Sequence, residues 1–98
     1  MDINVIKNEK ELTIGPVGHV DSITSEEFAA CVQENFTQDI EKLTLDFSQV
    51  DFISSKGLRV IISIYKSLDG RQLELVGTNA SVKEVFRVSG LLKVLDVK

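Results

Sequence analysis

A chain of 98 residues with 43% hydrophobic and 27% charged side chains has the composition of one soluble globular domain with a single modest core, not of a disordered or fibrous protein. Fifteen acidic against eleven basic residues give a formal net charge of -4 without any lysine and arginine cluster, so neither nucleic acid nor an anionic membrane is expected as the main partner. The lone Cys31 excludes an internal disulfide. The N-terminus carries no apolar leader and no apolar run is long enough to span a bilayer, which points to a cytoplasmic protein of a reducing compartment.

In chain order, Ile3–Ile6 and Leu12–Val17 are predicted strands joined by a polar turn over Lys7–Glu11, and they pair as an antiparallel hairpin. Gly15, Pro16 and Gly18 interrupt the alternation. The second strand is therefore expected to bend, or to run along an edge where the missing N–H of proline is tolerated. Thr24 with Glu27 three residues on fits a capping box, and Glu26 and Glu27 suit the positive end of a helix. From there Phe28, Val32 and Phe36 recur every four residues with Cys31 beside them, an apolar stripe that leaves Gln33 and Glu34 outward. Cys31 is read as a small packed hydrophobe rather than a reactive thiol. Asp39–Lys42 is a short polar link.

The stretch from Leu43 to Asp69 organises the rest of the chain. Leu43, Leu45 and Phe47 alternate with Thr44 and Asp46 as in a strand with one buried face, and apolar residues resume at Val50, Phe52 and Ile53. Ser54 and Ser55 then sit where a helix N-cap is expected, and Leu58, Ile61, Ile62, Tyr65 and Leu68 follow at the spacing of a buried helical face. Gly70 is the predicted C' residue of that helix. Leu73–Val76 is a strand parallel to the Leu43 strand, because a helix connects the two. A last helix begins near Asn79 or Ser81, buries Val82, Val85 and Phe86, and ends at Gly90. The tail Leu91–Val97 adds an edge strand or a final turn.

The segment FISSKGLRV, preceded by LTLDFSQVD, resembles the signature of STAS domains, the anti-sigma factor antagonist family: a strand of apolar and acidic residues, a short loop, an S-S-x-G-L turn and a helix. GHVDS resembles the end of the second strand in that family, and SVKEVFRVSGLLKV its closing helix. The resemblance implies one STAS domain over residues 1–98: an α/β fold with a mixed sheet of four or five strands and helices packed mainly on one face. It implies that Ser55 is the serine phosphorylated by a partner kinase, with Ser54 the second choice, and that Asp21 lies near it. Many relatives carry Asp where Ser54 stands and a small residue where Lys56 stands.

The same resemblance implies a binding module, not an enzyme. When unphosphorylated at Ser55 it would sequester an anti-sigma factor with serine kinase activity and so release a sigma factor or equivalent output, and a PP2C-type serine phosphatase would reset it. Partner contacts are expected at Asp21, Ser54, Lys56, Gly57, Arg59, Ser63 and Lys66. The alternative is a STAS interaction or small-ligand module of a sensory or transport complex that acts without phosphorylation. Without the resemblance, Ser54 and Ser55 would be read as helix caps. A hydrolase built from Ser55, His19 and Asp21 is set aside, since the G-x-S-x-G elbow is absent. One His and one Cys without paired spacing do not make a metal ligand set, and no phosphate loop or cofactor motif is present.

Overall fold

The computed structural model describes residues 1–93 and 95–97. The chain runs β1 (Ile3–Asn8), β2 (Glu11–Pro16), β3 (Gly18–Val20), α1 (Thr24–Asn35), β4 (Lys42–Asp46), β5 (Val50–Ile53), α2 (Ser55–Lys66), β6 (Gln72–Val76), α3 (Ala80–Ser89), a 3-10 turn (Leu91–Lys93) and β7 (Asp96–Val97). A five-stranded mixed sheet has the order β1-β2-β4-β6-β7, antiparallel between β1 and β2 and parallel elsewhere. β3 and β5 form a second, parallel two-stranded sheet.

Period-two alternation explains which face of the large sheet is covered. Leu12, Leu43 and Leu73 stand opposite one another across β2, β4 and β6, as do Ile14, Leu45 and Leu75, and all six are buried. Phe28 and Val32 of α1, Ile61 and Ile64 of α2, and Val82 and Phe86 of α3 close the same core. Phe28 meets Phe47 edge to face at 6.0 Å between ring centres. On the other face Thr13, Thr44 and Glu74 align, Lys42 bridges Glu74 at 3.3 Å and Glu11 at 4.0 Å, and Ile6 is 62% exposed. The helices therefore lie on one face, as expected for this fold.

Several sequence expectations shift in detail. The β1–β2 turn shrinks to Glu9 and Lys10, with Glu9 in the left-handed region at φ 57°. β2 does not occupy an edge: β1 flanks it on one side and β4 on the other. Its ladder with β4 stops at Ile14, so Pro16 removes no donor from that pairing. The chain then crosses to the small sheet, which composition alone did not separate from the large one. Gly70 is not the C' residue of α2. That helix ends at Lys66 with Ser67 as C-cap, and Gly70, at φ 82°, belongs to the turn into β6. Ile64, absent from the expected stripe, is buried, while Tyr65 is exposed.

α3 starts and stops as predicted. The Asn79 side chain accepts the Val82 N–H at 2.8 Å, and Gly90 adopts the left-handed C-cap conformation that a Cβ would strain. Asn79 also donates to the Val50 carbonyl at 3.3 Å, tying α3 to β5. The tail provides both a 3-10 turn and an edge strand; Val94, within the predicted tail, lies outside the described residues.

Candidate functional site

Two parallel strands, β3 and β5, end side by side with Val20 opposite Ile53, so Asp21 and Ser54 emerge together at one edge of the molecule. The Ser54 N–H donates to the Val20 carbonyl at 2.8 Å, which fixes the turn to β3. Ser54 is extended (φ -88°, ψ 172°) and is the N-cap of α2: its hydroxyl accepts the Gly57 N–H at 3.1 Å and its carbonyl accepts the Leu58 N–H at 2.9 Å. Ser55 follows as the first helical residue. It is exposed, and its hydroxyl has no hydrogen-bond partner among the described residues. The two neighbouring hydroxyls thus differ, one engaged in the fold and one free at the positive end of a helix.

Asp21 does for α1 what Ser54 does for α2. Its carboxylate accepts the N–H groups of Thr24 and Ile23, both at 2.9 Å, while the Thr24 hydroxyl accepts the Asp21 N–H at 2.9 Å. The expected capping box between Thr24 and Glu27 is therefore displaced three residues upstream, because the Thr24 hydroxyl also donates to the His19 carbonyl at 2.6 Å and turns away from its own helix. The Thr24 and Ile23 N–H groups hold the Asp21 carboxyl below the usual carboxylate range. At neutral pH Asp21 thus brings a negative charge beside the Ser54 turn.

Gly57 is buried against β3. A Cβ there would stand 2.8 Å from the Val20 carbonyl oxygen and 2.9 Å from side-chain atoms of Ile53 and Val20. Gly57→Ala gains helix propensity of up to about 1 kcal/mol, but forcing α2 off rigid backbone costs about 1–3 kcal/mol, so a net loss is expected. It would be read as a lower midpoint in urea denaturation, and an unchanged midpoint would mean that the first turn of α2 is free to shift.

Lys56, Arg59, Ser63 and Lys66 are exposed along α2. The Lys56 ammonium lies 2.6 Å from Glu26 of α1, whose carboxyl it lowers; both groups are solvated, so the pair adds little stability. Three residues that pattern reasoning did not assign to the site flank it. Phe52 is 49% exposed and Ile23 75% exposed, and His19 packs edge-on against Phe52 with its Nδ1 2.6 Å from Asp51. Within the apolar run Val50, Phe52 and Ile53, a bulge separates Phe52 from its buried neighbours: the register advances by two residues on β5 for one on β3, between Gly18–Val50 and His19–Phe52, so Asp51 is extra and Phe52 faces outward. His19 pairs with Asp51, whereas the Asp21 carboxylate is bonded to Thr24 and Ile23, so these residues do not assemble a triad with Ser55.

Residues 2–98 match the family model of the STAS domain. The chain belongs to the STAS domain family. This STAS domain is 35% identical over 82 residues to BtrV of Bordetella bronchiseptica, a candidate anti-sigma factor antagonist, a match covering 82% of this chain and 71% of that one. The crystal structure of an anti-sigma factor antagonist from Mycobacterium paratuberculosis has the same fold, with a TM-score of 0.90 at 18% identity over 98% of this chain and 83% of that one. Unphosphorylated SpoIIAA, another anti-sigma factor antagonist, matches with a TM-score of 0.76 at 14% identity over 99% of this chain and 87% of that one. STAS domains of this kind act by binding, and the domain is not an enzyme. Among the described residues no helix is long and apolar enough to cross a membrane.

Proposed function

We propose that this STAS domain is an anti-sigma factor antagonist whose binding is switched by phosphorylation at Ser55. The observation that carries this is the division of labour at the turn. Ser54 holds the helix cap, whereas Ser55 is exposed and unbonded among the described residues, so a kinase reaches its hydroxyl without breaking a structural contact. The likeness to BtrV supports the antagonist role. In the unphosphorylated state the domain, acting as one module over residues 1–98 in the cytoplasm, docks an anti-sigma factor with serine kinase activity through Asp21, Ser54, Lys56, Gly57, Arg59, Ser63 and Lys66. Gly57 contributes by holding α2 close, and Phe52 and Ile23 add exposed apolar area at the rim. A PP2C-type phosphatase restores the binding state.

A pull-down from the source cells with unphosphorylated protein is expected to recover an ATP-binding kinase. Incubating wild type, Ser54→Ala and Ser55→Ala with that kinase and ATP should then add one phosphate to wild type and to Ser54→Ala but none to Ser55→Ala, as read by intact mass. A phosphate on Ser55→Ala and none on Ser54→Ala would reverse the site assignment.

A further inference from the structure

We propose that the groove between α1 and α2 is a binding site for a small anionic amphiphile, one carboxylate or similar head carrying an alkyl chain. The groove is open to solvent along one side and has a volume of about 700 Å³, within the range of about 300–1,000 Å³ usual for small-molecule sites. Val32 of α1, Phe36 at the C-cap of that helix, and Val60 and Ile64 from α2 supply apolar walls. Every charged residue lining it is a cation, Lys56, Arg59 and Arg71, in a chain that carries 15 acidic and only 11 basic residues. An anion is thus matched here and poorly matched over most of the surface.

The three cations are not equivalent. Arg71 is committed to the fold: its guanidinium lies 3.9 Å from the Phe36 ring centre and donates to the carbonyls of Leu68, Thr37 and Ile40 at 2.8, 2.9 and 3.2 Å. Those bonds tie the chain after α1 to the chain after α2 and close that end of the groove, which suits a ligand with a single head rather than a polypeptide running through. Lys56 is paired with Glu26. Arg59 is exposed and has no partner among the described residues, so it is the cation free to meet the head. From Lys56 to Ser67 the axis of α2 runs about 16 Å at ~1.5 Å per residue, the length of an extended alkyl chain of medium size.

The site does not depend on the phosphorylation reading, since binding is measured on the chain alone. Dodecanoate, titrated below its micelle concentration into the full chain and followed by amide chemical shifts, should saturate, with shifts concentrated on α1 and α2. Dodecanol and dodecyltrimethylammonium, which lack or invert the charge on the same chain, should bind about tenfold more weakly or worse, and Arg59→Gln should cost dodecanoate about tenfold. Ala29→Trp, which fills the groove, should abolish saturation, and the exposed Arg59 variant keeps the test decisive should the tryptophan variant fail to fold. Equal binding of all three amphiphiles, an unchanged affinity in Arg59→Gln, or no saturation by dodecanoate would overturn the site.

Discussion

Ile61→Asp is expected to lower the thermal midpoint by about 20 °C or to unfold the domain outright. Ile61 is fully buried where α2 meets the sheet, in one core with Leu43, Leu45 and Phe47. The substitution removes apolar burial and sets a carboxylate without a partner in its place, for a combined loss of about 4 kcal/mol or more. A domain of this size holds only about 5–15 kcal/mol in total and shifts its midpoint by about 4–8 °C per kcal/mol. Ser63→Asp, on the exposed side of the same helix, should change stability by no more than about 0.5 kcal/mol. Thermal circular dichroism on the pair checks the orientation of α2. Equal midpoints for wild type and Ile61→Asp would mean that the helix presents another face to the sheet.

Phosphorylation at Ser55 is expected to weaken binding of the recovered kinase by about a hundredfold or more, the loss that follows when a partner must desolvate an unmatched charge. The domain itself should barely respond. A phosphoserine adds roughly -1.5 to -2 charge, which at the first residue of α2 meets free N–H groups and a local gain of about 0.3–1 kcal/mol, so the thermal midpoint should move by less than about 8 °C. Lys56, next in sequence, is held only by a solvated pair with Glu26 and partly neutralises the phosphate, while Asp21 adds negative charge at the same edge. The charge that remains is left for the partner to meet. Isothermal titration of the phosphorylated and unphosphorylated forms against the kinase checks this, and equal affinities would remove the switch while leaving the docking face standing.

The features legible in the sequence were those written into one segment at a time. The alternation at Leu43, Leu45 and Phe47, the four-residue recurrence at Phe28 and Val32, and the Asn79 and Gly90 boundaries each follow from local periodicity or capping. The features not legible there depend on pairing between distant segments. Whether Phe52 points in or out is decided by a bulge against β3, thirty-odd residues upstream, and the small sheet forms where the chain leaves β2 after Pro16 and begins β3 at Gly18. The cap of α1 moved to Asp21 because the Thr24 hydroxyl found the His19 carbonyl. At the site the S-S-K-G-L turn was recognisable as a motif, but the unequal state of its two hydroxyls was not, since it rests on which of them reaches the Gly57 N–H.

The strand order also bears on when the docking face comes into being. Among the described strand pairs, β1 with β2 is closed by a two-residue turn, whereas the parallel pairs β2–β4, β3–β5, β4–β6 and β6–β7 each join segments separated by at least one helix. A hairpin closes in about 1–10 μs, but parallel pairing has to wait until the intervening loop is drawn in. The Ser54 turn is anchored on Val20 across one of these late pairs. A chain emerging from synthesis therefore offers a hairpin long before it offers the capped helix start with Asp21 beside it. Under the proposed function, the surface a partner would read at this turn exists only once β3 and β5 have paired.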